Sequence, residues 1–130
     1  MLAGVRDLEA ARAAAAPLEA LGYSYREHRP EAHLFVKATY GVHLTEPGGA
    51  LWRERLAFRD ALRADRELAR EYAEWKLRHV SDDRARGPYT ADKRPFVTRV
   101  LARAGIEVKP DEERLAPSVL AERRAVPTPR

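Results

Sequence analysis

The chain contains no cysteine, which excludes disulfides and thiolate metal sites and gives no sign of an oxidising compartment. No apolar run approaches the roughly 20 residues needed to span a bilayer. Met1 to Asp7 lacks the basic start and long apolar stretch of a secretory signal. The cytoplasm is therefore the expected location. Recognition motifs are missing too: there is no helix-turn-helix signature, no zinc spacing and no paired RNP aromatics. Ser24, Ser81 and Ser118 stand in no nucleophile-elbow context. His28, His33 and His79 show no ligand spacing, and no internal repeat is present.

What is present fits one domain of modest size. The 130 residues are 45% hydrophobic and 34% charged, enough apolar material for a single core in a polar surface. The net charge of +4 suits anionic partners such as nucleotides, nucleic acid or phosphorylated metabolites. High arginine and alanine also follow from a GC-rich genome, so charge alone names no ligand.

Asp7 predicts the N-cap of a helix running to Leu21, with Gly22 ending it in the left-handed conformation. Pro17 should kink that helix, because it lacks an amide donor. Alternation then predicts strands over Tyr23 to Glu27, His33 to Lys37 and Tyr40 to Glu46, with Arg29-Pro30-Glu31 as a turn. Connections this short favour an antiparallel meander, since parallel crossovers need a dozen or more residues. From Ala50 the spacing becomes helical. Leu51, Arg55, Phe58 and Leu62 recur on one face, as do Leu68, Tyr72, Trp75 and His79, with Asp65 capping the second helix. Ser81 to Pro88 reads as a polar loop. Thr90 is the predicted cap of a last helix ended by Gly105, and Pro95 points to a later start.

The expected fold is thus α/β (α+β): a small antiparallel or mixed sheet of about three strands packed by about four helices. Phe35, Val42, Leu44, Leu56, Phe58, Leu62, Tyr72, Trp75, Phe96 and Val100 are its predicted core. The domain is expected over residues 1–106. Residues 107–130, charged and proline-containing, are expected to be largely disordered, with a short helix near Val119.

One ordered series of residues goes beyond helical composition. Phe58-Arg59-Asp60-Ala61-Leu62-Arg63 is followed by Tyr72 and Lys76 as Y-x-x-x-K, and then by Tyr89, Lys93 and Phe96 as YT-x-x-K-x-x-F-V. With Leu18 to Tyr23 as an L-x-x-LGY junction and Phe35-Val36-Lys37 as a strand, this series resembles the GrpB family over roughly Val5 to Gly105. The resemblance implies a nucleotidyltransferase-like fold. It also implies a nucleotide or phosphorylated small molecule as partner, and Mg²⁺ in a complete member.

Two departures stand out. The family's histidine-rich strand keeps only His43, within Val42-His43-Leu44-Thr45. Its G-S-T-(S/A)-V-P-G-L turn and following acidic strand do not occur in the sequence. Such a turn cradles phosphate with backbone amides, and strand carboxylates hold the divalent metal. Glu27 and Glu46 have no neighbouring carboxylate to complete a metal pair. No cofactor is evident and no catalytic residue is assigned. Met1-Leu2-Ala3-Gly4-Val5 reads as the end of a strand leading into the first helix, and a missing N-terminal half is expected. Loss of it would leave a sheet face open to self-association.

The anion-contact candidates are Lys37, Arg59, Arg63, Lys76 and Lys93, and the cleft candidates are His43 and Tyr89. Arg55, Arg59 and Arg63 share a helical face, where guanidinium forks suit phosphate. The competing reading of that face is ion pairing with Glu54, Asp60 and Glu67. The leading expectation is binding of a nucleotide or phosphorylated small molecule. The alternative is a non-catalytic module that binds protein or nucleic acid through a basic helical face.

Overall fold

The computed structural model describes the backbone of residues 1–79 and 86–125, and the side chains of residues 1–78 and 93–125. These fall into two compact units, Met1–Arg53 with Lys109–Arg130, and Glu54–Val108.

The first unit is built on a mixed sheet of four strands, β1 (Leu2–Gly4), β2 (Ser24–Arg26), β3 (Ala32–Lys37) and β4 (Tyr40–Thr45), in the order β1-β4-β3-β2. β2, β3 and β4 form the expected antiparallel meander, with Tyr25 opposite Phe35 and Phe35 opposite Val42. The strand count is one higher than the three expected, because β1 lies parallel to β4 with Leu2 opposite His43. Paired residues share a face, so Ala3, Leu44, His33, Phe35 and Tyr25 line one side. His43, Leu34, Thr45 and Gly4 line the other.

The first side is covered by the segment after β1. Asp7 caps it, its Oδ1 accepting from the amides of Glu9 and Ala10 at 2.7 and 3.3 Å. A tight 3-10 turn, Ala10–Ala14, precedes helix α1 (Ala15–Ala20). The single helix expected from Asp7 to Leu21 is therefore divided, and Pro17, which has no amide to offer the preceding turn, stands in the first turn of α1. Gly22 ends α1 at φ +90°, where Gly22 N–H donates to Glu19 O and Tyr23 N–H to Leu18 O. His33 Nε2 lies 2.8 Å from Leu8 O and Lys37 Nζ donates to Leu21 O at 2.6 Å, fastening this segment to the sheet. On the other side Gly4 lets Trp52 approach: a Cβ there would stand 3.1 Å from its ring.

Two buried polar residues close the unit. Arg29 pairs with Glu31 at 2.6 Å, and Thr45 Oγ1 donates to Glu31 O at 2.8 Å.

Within the tail expected to be largely disordered with a short helix near Val119, the described residues form α5 (Asp111–Arg114) and α6 (Pro117–Ala125), the latter containing Val119. Leu115 between them is 3% exposed, which supplies the apolar anchor that the charged composition obscures. Asp111 pairs with both Arg114 and Arg123 at 2.7 Å. Ala116 N–H donates to His28 O at 3.0 Å, and Ser118 Oγ donates to Glu27.

Helix α2 (Ala50–Ala64) begins in the first unit and continues into the second, which also contains α3 (Arg66–His79) and α4 (Arg86–Arg103). Asp65 caps α3 as its position predicts, accepting from Glu67 and Leu68 amides at 2.9 and 3.1 Å. Of the loop expected from Ser81 to Pro88, residues 81–85 lie outside the described residues, and 86–88 are already helical. Thr90 is consequently inside α4, and so is Pro95. A proline removes one backbone bond, and burial of Phe96, Val100 and Leu101 just beyond it offsets that loss. Gly105 at φ +76° ends α4, with Ile106 N–H donating to Leu101 O.

The core of this unit is Leu68, Phe96 and Val100, with Phe58, Ala61, Leu62 and Tyr72 packed against it. Val42, Leu56 and Trp75, also predicted as core, are half-buried, whereas Leu51 is fully buried. No helix among the described residues is long and apolar enough to cross a membrane.

Candidate functional site

The second unit brings together five of the residues that the sequence singles out, Phe58, Tyr72, Lys76, Lys93 and Phe96. Tyr72 and Lys76 are four apart on α3, and Lys93, Phe96 and Arg99 follow at intervals of three on α4, so each set shares a helical face. Tyr72 and Phe96 stack with centroids 5.6 Å apart and planes 14° from parallel. Phe58 from α2 meets both edge-on, at 5.3 and 6.2 Å. The quadrupole of aromatic rings favours both arrangements.

Cations gather on this cluster. Lys76 Nζ is 4.7 Å and Lys93 Nζ 4.9 Å from the Tyr72 centroid, so the two ammonium groups are no farther apart than those distances combined. Lys93 also lies 5.9 Å from the Phe58 centroid. Neither lysine has a carboxylate partner among the described residues. Arg99 is a third cation, 5.2 Å over Phe96, but it pairs with Glu71. Sequence reasoning missed Arg99, although its i+3 spacing from Phe96 was available as a signal.

The other candidates stand elsewhere. Arg59 is paired with Asp60 at 2.8 Å, the ion-pair alternative for that face. Arg63, exposed in the last turn of α2, has no ion pair among the described residues, and its charge complements the negative end of the helix. Lys37 belongs to the first unit, where it bonds the end of α1 and lies 5.8 Å from the Tyr23 centroid. His43, half-buried on β4, meets the His28 ring edge-on at 5.5 Å. The Tyr89 side chain lies outside the described residues.

Magnesium, implied by the family pattern, needs converging oxygen ligands. Glu46 accepts from the Leu8 amide at 3.3 Å and Glu27 accepts from Ser118. Among the described residues no three His, Cys, Asp or Glu side chains converge.

A family model described as GrpB protein matches residues 1–103. The UPF0157 protein of Deinococcus radiodurans is 37% identical over 98 residues, covering 71% of this chain and 52% of that protein. The chain therefore spans about half the length of this curated relative. No solved structure matches.

Proposed function

We propose that this chain, which belongs to the GrpB family, binds a nucleotide or other phosphorylated small molecule, holding its phosphate between Lys76 and Lys93. The observation that carries this reading is the convergence of both ammonium groups on the single ring of Tyr72. Two like charges at such separations repel by about half a kcal/mol in water. A cation–π contact returns about 0.5–1 kcal/mol to each, so the pair stands ready without a ligand. A phosphate between them would accept a charge-assisted bond from each, worth about 1.5–3 kcal/mol apiece. Arg59 and Arg63 add positive potential along α2, while Lys37 serves the end of α1. A nucleotidyltransferase-like architecture and a cytoplasmic location complete the proposal. It is a reading of binding, because the family's phosphate-cradling turn and strand carboxylates have no counterpart in the sequence.

Calorimetric titration with ATP, with and without Mg²⁺, tests it. Lys76→Gln and Lys93→Gln should each weaken binding about tenfold, and the pair should abolish it, with far-UV circular dichroism unchanged. Affinity should fall as salt rises. An undiminished affinity in the double variant would overturn the assignment. No heat with any nucleotide, together with salt-sensitive binding to nucleic acid, would favour the non-catalytic module instead.

A further inference from the structure

Resting on that phosphate reading, we infer that the site recognises the phosphate end of its ligand and not a base. The ligand class is then a pyrophosphate-like group, free or carried on a metabolite. Base recognition by proteins uses an open aromatic face for stacking together with groups that read the base edge. Among the described residues, each ring of this cluster already has another ring or a cation against it, and none of the side chains is an amide that reads an adenine edge.

Phe96 is buried and stacked on Tyr72, and Phe58 sets its edge against both. Cations stand against these rings as well: Lys76 and Lys93 over Tyr72, Lys93 over Phe58, and Arg99 over Phe96. A base entering as a stacking partner would have to displace an ammonium group or separate two packed rings. Side-chain amides, the groups best matched to an adenine edge, are missing altogether, since the chain contains no asparagine and no glutamine.

The two ammonium groups are well suited to phosphate. They are compact, strongly hydrated charges on flexible stems, which meet phosphate as point charges without demanding planar geometry. Their separation is bounded by their shared ring, a spacing that two linked phosphates can bridge with one lysine on each. A single ring thus holds both cations near one polyanion while offering the rest of the ligand no stacking surface.

Titration of the full chain with pyrophosphate, ADP and adenosine separates the outcomes. The expected result is a pyrophosphate affinity within about threefold of that for ADP, no heat from adenosine, and displacement of ADP by pyrophosphate. Lys76→Gln/Lys93→Gln should lose both anions together. Binding of ADP more than about tenfold tighter than pyrophosphate, or measurable binding of adenosine alone, would overturn the inference and leave the phosphate reading standing. Heat from neither anion would overturn both.

Discussion

Replacing Phe96 by alanine should cost the second unit about 3–5 kcal/mol. Phe96 is buried, stacked on Tyr72, edge-on to Phe58 and covered by Arg99, so truncation empties the point where α2, α3 and α4 meet. Removing the ring loses its transfer free energy and leaves a cavity, and two further aromatic contacts lose their partner, each worth about 0.5–1.5 kcal/mol beyond area. At about 4–8 °C per kcal/mol for a unit of this size, the melting temperature should fall by more than about 10 °C. Phe96→Leu keeps most of the apolar volume and should lose less than half as much. Thermal melts of both variants, followed by circular dichroism, check this. Equal melting temperatures for wild type and Phe96→Ala would mean that the stack is not the core of the unit.

Leu115→Ala should destabilise the first unit by about 2–5 kcal/mol, the range for a leucine in a core. A disordered tail predicts no effect at all, because truncating a solvated side chain removes nothing from the folded state. Leu115 is 3% exposed, and the residues beside it bond back to the strand region through Ala116 to His28 and Ser118 to Glu27. With the anchor gone, the ion pairs of Asp111 with Arg114 and Arg123 are insufficient to hold α5 and α6, since partly exposed pairs contribute about 0–1 kcal/mol each. Trypsin should then cut after Arg114, Arg123 and Arg124 in the variant well before it does so in the wild type. Unchanged melting and unchanged cleavage would show that the segment is held by something other than Leu115.

The parts of the fold that were legible are those fixed by local chemistry. Asp65, Gly22 and Gly105 act within a turn of their own helix, so residue type and position suffice. β3 and β4 follow from alternation and a two-residue connection. Met1 to Val5 reads as strand, yet nothing local says that it pairs with β4 in parallel, because its partner lies far along the chain. Arg29 looks like part of a surface turn, since arginine is almost never buried unless paired, and its pairing with Glu31 is what a sequence does not display. Leu115 was hidden in the same way, as one of a few scattered apolar residues in a charged and proline-containing tail.

The candidate site was legible in its members and not in its arrangement. Phe58, Tyr72 and Phe96 were expected as core by helical spacing, and Lys76 and Lys93 were picked out by resemblance. That both lysines meet one tyrosine ring depends on how α3 and α4 pack, which periodicity within a helix does not specify. Lys37 and Arg59 were likewise picked out by resemblance, and the structure engages each with a neighbour, Leu21 O and Asp60.

The parallel pairing of β1 on β4 also sets an order of assembly. The β3–β4 hairpin closes across two residues, whereas Leu2 meets His43 only after a loop of about 40 residues has closed, at about 2 kcal/mol more chain entropy. Contacts that close the shorter loop form sooner, so the meander is the template and β1 is the late addition. With only three residue pairs in register, β1, like the other edge strand β2, detaches with less work than the six-pair β3–β4 hairpin. In hydrogen exchange the amides of His43 and Val5, which donate to Met1 O and Thr45 O, should lose protection before the amides shared by β3 and β4. Slower exchange at those two positions would show that β1 does not open before the hairpin.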